Sequence, residues 1–398
     1  MIIFSPIAYS AGFFFQAYFS GLGMLVSFAA LILFFSGLIL ERHQIRRCPV
    51  KSAIYLIVIY SILSMIFTLK SDYNTLRGIF LNPAFILPYL CPLLTLKSYD
   101  YRFPRYIIIA LLISASAFIF FSFTNFKDFV TSDQNGFQAI LALRENMISF
   151  DTVSKNLGAC LGFGLLLSPF IKKRYLLIIL VGFAINLSMA IFLGRRNIIF
   201  TNTLYLVFGC YLYIRNTRIP KFFKAVILIF GLWSLIYGVM NLTNFLEGND
   251  NIFFQTLSKR LEADTRGKVL EYYEEDMNSR LTNWVFGKGI NSTYYCPGIE
   301  PGNHRVTVEA GWRHIILKIG LVGFFLYLTI LVPPLFRKKN NLLIQACTIY
   351  IIIGIIELYP AGVPAFHLQY ILLWIAASFC YDKKFNKLSN SEVKLFFR

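Results

Sequence analysis

This sequence predicts a polytopic, all-α membrane bundle. Two observations carry the prediction: eleven apolar stretches of spanning length, and connections between them that alternate in charge. The stretches are 19–40, 52–69, 79–96, 106–124, 152–170, 175–193, 197–214, 222–243, 314–336, 342–359 and 367–381. Each has about the length that crosses a hydrocarbon core of roughly 30 Å as a helix. Backbone polar groups in lipid must be satisfied within the segment, which leaves a helical bundle as the architecture. Placing 41–51, 97–105, 171–174, 215–224, 337–341 and 382–398 on one side collects 22 of the 38 Lys and Arg with only Glu41, Asp100, Asp382 and Glu392. The other side holds equal numbers of bases and acids, so the whole +18 surplus lies on one face. An excess of Lys and Arg marks the cytoplasm, and the C-terminus is expected there.

The first forty residues carry no charge, and as one helix they would be about twice the length of a crossing. Without a basic leader region they do not read as a cleaved signal peptide. Pro6 and the Gly21/Gly23 pair predict a short first piece at the outer leaflet followed by a full span. Eleven crossings with the N-terminus outside is the expected count, with twelve as the alternative. The expected regions are N-terminal membrane helices over 1–243, an extracytoplasmic cap over 244–308, and C-terminal membrane helices with a cytoplasmic tail over 309–398.

A pI near 9.6 does not imply nucleic acid here. The charge sits in short turns such as Lys172-Lys173-Arg174 and Arg337-Lys338-Lys339, where it sets topology and meets anionic headgroups. The partner expected on composition is the lipid bilayer. Seven scattered cysteines show no Cys-x-x-Cys and no zinc-like Cys/His spacing, so neither a disulfide nor a metal is expected.

Two outward connections are long, about 125–151 and the 65-residue stretch 244–308. Loops of that size in a compact bundle are usually functional or disordered. The second is rich in aromatics, and from Glu262 to Trp284 its apolar residues Val269, Leu270, Tyr273, Met277, Leu281 and Trp284 follow helical spacing. A folded cap with one or two helices is expected, against the alternative of a solvated tether.

Candidate functional residues are arginines and the groups beside them. Gly194-Arg195-Arg196-Asn197 joins two spans with almost no loop, which puts a guanidinium at or below the outer interface. A charge there is costly unless paired or lining a watery cavity; snorkelling to headgroups is the structural alternative. Arg266 opens the helical part of the cap, Arg280 follows it, and Phe286-Gly287-Lys288-Gly289 comes after Trp284. The chain re-enters the membrane through His304, Glu309, Arg313 and His314, then Lys318, Gly320 and Gly323. Glu309 and Arg313 stand four apart, so a plain helical ion pair would also account for them.

The order of these pieces resembles the superfamily of O-antigen polymerases (Wzy-type) and O-antigen ligases. The matching residues are Gly194-Arg195-Arg196, then Arg266 with Phe286-Gly287-Lys288-Gly289, then Gly320-Leu321-Val322-Gly323. Ligase members typically show a His-Asn pair where Glu309 stands here, which favours the polymerase branch. The resemblance implies a metal-independent glycosyltransferase without cofactor, acting at the periplasmic face of a bacterial inner membrane. Its donor would be an undecaprenyl-diphosphate-linked oligosaccharide, and its partners a chain-length regulator and a flippase. On that reading Arg195, Arg196, Arg266, Arg280 and Arg313 bind the diphosphate. Glu309 is the first choice of base, with His304 and His314 after it. A ligase, or a flippase for the same lipid, is the alternative.

Overall fold

The computed structural model describes residues 1–18, 20–40, 45, 47–68, 82, 84–124, 153–192, 195–216, 266–297, 303–308, 310–360 and 362–397. Among these the chain is mostly helical. In chain order the helices are α1 (Ser5–Tyr18), α2 (Ser20–Leu40), α3 (Lys51–Phe67), α4 (Leu87–Leu90, continued as a 3-10 helix over Cys91–Leu96) and α5 (Phe103–Thr124). A π-helical turn, Ser154–Gly158, precedes α6 (Leu161–Leu166), α7 (Lys173–Phe192) and α8 (Arg196–Asn216). After these come α9 (Arg266–Asn278) and α10 (Leu281–Phe286), and a ribbon in which β1 (Tyr294–Tyr295) pairs antiparallel with β2 (His304–Arg305). The last are α11 (Gly311–Leu331), α12 (Pro333–Phe336), α13 (Leu342–Glu357), α14 (Leu368–Tyr381), α15 (Lys383–Asn386) and α16 (Asn390–Phe396).

Five of the described helical stretches are long and apolar enough to cross a membrane: Gly21–Leu40, Phe103–Thr124, Lys173–Ile191, Arg196–Asn216 and Gly311–Phe336. They fall on five of the expected spans. Large apolar side chains on α2 and α7, among them Leu25, Phe28, Ile39 and Leu177, are exposed. A soluble monomer rarely displays such continuous apolar faces, whereas lipid requires them. Three further expected spans appear as the shorter apolar helices α3, α13 and α14, and a fourth, 79–96, is described only from α4 onward. The expected span 222–243 and the connection 125–151 lie outside the described residues. The expected span 152–170 is not one helix but the π-turn followed by the six-residue α6.

The N-terminal forty residues form two helices rather than one. α1 runs antiparallel to α2: Gly12 packs on Ser27 while Gly37 packs on Ile2. Phe366 wedges into this pair, with its ring 5.2 Å from that of Tyr9 and 4.9 Å from that of Phe34.

The chain divides into two compact units, Met1–Phe103 with Thr265–Glu392, and Pro104–Asp264 with Val393–Arg398. Val269, Tyr273, Met277, Tyr294, Cys296 and Val308 share a buried apolar cluster with Ile316 and Leu317 of α11. The helical spacing read from Val269, Tyr273 and Met277 is the buried face of α9.

Candidate functional site

The geometry that most demands a physical account lies in the first unit, where α11 is broken. Ile319 (φ −133°, ψ 16°) and Gly320 (φ 64°, ψ −176°) leave helical conformation, so the carbonyls just before the break lose their usual partners. The loop after α10 replaces them. Lys288 donates its backbone N–H to the Leu317 carbonyl at 2.7 Å. Ser64 Oγ of α3 donates to the Lys318 carbonyl at 3.4 Å, and Ser292 Oγ to that of Leu317 at 3.5 Å. Irregular backbone at membrane depth is tolerated where protein meets its polar groups in this way.

Two glycines permit the approach. Gly287 (φ 76°) and Gly320 face each other so closely that a Cβ on either would lie 2.5 Å from the other's backbone nitrogen. Both are in the left-handed region that favours glycine. On the far side of the loop Gly289 abuts Thr68, and Tyr60 of α3 donates its hydroxyl to the Phe286 carbonyl at 2.5 Å. The segment 286–292 is therefore clamped between α3 and the break in α11.

Cations gather at this clamp. The Lys318 side chain is buried eight residues into α11, and its Nζ donates to the Ser292 carbonyl at 2.6 Å. Lys288 Nζ reaches Asp276 Oδ2 of α9 at 2.5 Å and the Thr293 carbonyl at 3.1 Å. Arg313 pairs with Glu274 of α9 at 2.7 Å and lies over the rings of Trp312 and Tyr273. Tyr273 is buried against these groups and donates its hydroxyl to the Arg313 carbonyl at 3.2 Å. Burial pushes its phenol well above the usual range, and the Arg313 charge offsets part of that.

The predicted site residues fare differently. His314 is fully buried, and its Nδ1 accepts from the Val308 N–H at 3.4 Å. The neutral ring then carries its proton on Nε2, which makes that atom a donor rather than a base. His304 is exposed on β2, edge-on to Tyr295 with ring centres 5.7 Å apart. Arg280 is exposed and extended just before α10. Arg266 opens α9, but its side chain lies outside the described residues, as does Glu309 altogether. Arg313 is brought to the clamp, already paired with a carboxylate. Arg195 and Arg196 belong to the second unit, at the start of α8, and both are exposed.

Sequence reasoning passed over the Lys288–Asp276 pair and the buried setting of Lys318. Lys318 stands four residues after His314 and two before Gly320, which in retrospect is a cation on the buried face of a helix about to break. Among the described residues no group of three or more His, Cys, Asp or Glu could hold a metal ion. Comparison with family models, with curated proteins and with solved structures finds no match to this chain.

Proposed function

We propose that this chain is a polysaccharide polymerase that joins undecaprenyl-diphosphate-linked oligosaccharide repeat units at the periplasmic face of a bacterial inner membrane. One observation supports this reading above the others. The two late motifs that carry the resemblance, Phe286-Gly287-Lys288-Gly289 and Gly320-Leu321-Val322-Gly323, meet backbone to backbone through Gly287 and Gly320. Motifs separated by some thirty residues that pack as one unit are expected to serve one site.

In the proposed reaction an acceptor hydroxyl attacks the anomeric carbon of the donor glycan. Its bond to the diphosphate oxygen breaks, the lipid diphosphate leaves with the electron pair, and the acceptor proton passes to a base. Arginine suits the developing charge on the leaving group, because its fork of donors matches phosphate oxygens and never deprotonates. Fixed positive groups aimed at that charge are usually the largest catalytic contribution. Arg195 and Arg196 are the first candidates for the role, with Arg266 and Arg280; Arg313 is the weakest because Glu274 already neutralises it. Glu309 and exposed His304 are the candidate bases, which need to lie within hydrogen-bond reach of the acceptor. The 244–308 segment would act as an extracytoplasmic cap whose aromatic side chains stack on sugar rings.

A flippase for the same lipid is the second reading, favoured by the interruption of α11 next to buried Lys318. Transporters often bind substrate at such broken helices. The glycan profile of a deletion strain decides between them. Loss of a polymerase leaves single repeat units on the final acceptor, loss of a ligase leaves long chains on undecaprenyl diphosphate, and loss of a flippase traps repeats on the cytoplasmic side. Cysteine labelling is expected to find position 280 outside and positions 45, 100, 218 and 390 inside; labelling of 280 from the cytoplasm would remove the reading. Arg195→Ala or Arg196→Ala is expected to abolish polymer at normal protein levels, with lysine restoring it only in part. Glu309→Gln is expected to lower turnover by about 100-fold or more while substrate binding survives.

A further inference from the structure

The second unit holds a separate convergence of buried polar groups that the reaction above does not use. Three helical segments meet there, and the close glycine contacts give their register. Gly162 packs on the Tyr205 ring and Gly209 on Leu165, so α6 and α8 run parallel. Gly164 packs on Ile179, Gly182 on Leu161 and Gly158 on Asn186, so α7 runs antiparallel to both. One turn before Tyr205 on the same buried face of α8 is Asn202, which this register sets opposite Gly158 and Ala159. Asn186 and Asn202 therefore approach the π-helical turn Ser154–Gly158 from two sides.

That turn is wider than an α-helical one, with Ala159 N–H bonding the Ser154 carbonyl at 2.9 Å. Wide turns of this kind recur at functional sites. Ser154 Oγ and Asn186 Oδ1 lie 2.5 Å apart, and both residues are buried. Among the described residues Asn186 Nδ2 and Asn202 Nδ2 have no hydrogen-bond partner, although their side chains are 0% and 1% exposed. Asn197 Oδ1, one turn nearer the start of α8, is likewise buried without one. A helix packed for stability alone would place apolar groups there, because an unmet amide in a membrane-embedded core is costly. Arg195 and Arg196 stand at the start of α8, on the same side of the convergence as the end of α7. Asn202 lies six residues from Arg196, about 9 Å along the helix.

We propose that the Ser154–Gly158 turn, Asn186 and Asn202 line a sugar-binding pocket beneath the arginine pair. Its ligand is the first sugar of a polyprenyl-diphosphate-linked glycan whose diphosphate sits at the arginines. Sugar hydroxyls both donate and accept, so they can meet the amide donors of Asn186 and Asn202. The pocket rests on the reading that the substrate is such a lipid, and it adds where the sugar is recognised.

The test measures binding of two probes to the purified full-length protein: undecaprenyl diphosphate, and the same lipid carrying one N-acetylglucosamine. Wild type is expected to bind both, the sugar adding about tenfold or more in affinity. Asn186→Leu and Asn202→Leu, close in size but apolar, are expected to remove that increment and leave binding of the bare lipid within about twofold. The thermal unfolding temperature of Asn202→Leu is expected to hold or rise, because replacing an unmet buried amide by an apolar group relieves a cost. Should Asn186→Leu fail to insert for want of its bond to Ser154, Asn202→Leu decides alone. A sugar increment that is intact in the variants, or absent from wild type, overturns the pocket while leaving the proposed function standing. Wild type that binds neither lipid overturns both.

Discussion

The break in α11 and the π-turn before α6 are both departures from regular helix in apolar stretches of the chain, yet they treat their polar groups differently. At the α11 break the displaced carbonyls of Leu317 and Lys318 are met by Lys288, Ser292 and Ser64, and both lysine ammoniums have acceptors. Side-chain atoms alone remain unmet there, on Asn291, Arg313 and His314. At the π-turn the Ser154 carbonyl accepts from the Ala159 N–H and that of Leu157 from Ser114 Oγ, and what is left over among the described residues is a set of amide groups from two facing helices. Irregular backbone is thus not in itself a sign of a binding site. A break whose displaced carbonyls are taken up by a neighbouring loop acts as a joint between two segments; unmet amides gathered from two helices around one turn have capacity for a ligand. The contrast shows the α11 joint fixing segment 286–292 against α3, and adds the α6–α8 convergence as a further place to search for ligand contacts.

The largest effect expected from breaking the comparison is at the joint. Gly320→Ala or Gly287→Ala puts a Cβ against backbone on the opposite strand of the joint, at a φ that L side chains rarely adopt. Each is expected to cost about 3 kcal/mol or more, read as loss of folded, detergent-stable protein. Gly267→Ala is the control: nothing lies within 4 Å of its Cβ position in α9. That variant is expected to be neutral or to gain up to about 1 kcal/mol from helix propensity. If Gly267→Ala and Gly320→Ala behave alike, the clamp is not as close as described. Next in size is Lys288→Met, which strands the partly buried Asp276 carboxylate. A charged hydrogen bond of this kind is worth about 1.5–3 kcal/mol. Adding Asp276→Asn should restore most of the loss in thermal unfolding, because the stranded charge goes with it.

Much of the architecture was legible in the sequence, for a simple physical reason. Lipid imposes long apolar helices, and five such helices lie where the apolar stretches predict them. The α9 helix was also legible, because Val269, Tyr273 and Met277 repeat at the spacing of one face. What the sequence hid is what depends on tertiary contact. The apolar run 152–170 reads as one crossing, since hydropathy does not register that Gly158, Gly162 and Gly164 invite three helices close enough to replace one straight segment. Asn186 and Asn202 drew no notice as single polar residues in apolar runs; only the register of α6, α7 and α8 brings them to one turn. In the sequence Glu309 is the first choice of base, with a helical pair to Arg313 as the structural alternative. The structure gives Arg313 a partner from outside its own helix, Glu274, which no spacing rule could have named.

That pair supplies the smallest expected effect and the finest test of the comparison. Glu274 is about half exposed and Arg313 largely covered, so water screens one end of the bridge. Glu274→Gln keeps a side chain that still accepts a hydrogen bond and removes only the charge. Exposed ion pairs are typically worth 0.2–1 kcal/mol, so about 0.5 kcal/mol is the expected loss. Arg313→Gln should cost more than its partner, because it also gives up stacking over Trp312 and Tyr273. A double-mutant cycle on unfolding separates the two contributions, with a coupling energy no larger than the Glu274→Gln loss. Polymer should persist in Glu274→Gln if Arg313 anchors α9 to α11 by stacking and serves the joint. If polymer disappears while the protein stays folded, Arg313 needs its charge balanced for chemistry, and the division between a closed joint and an open pocket would have to be redrawn to include it.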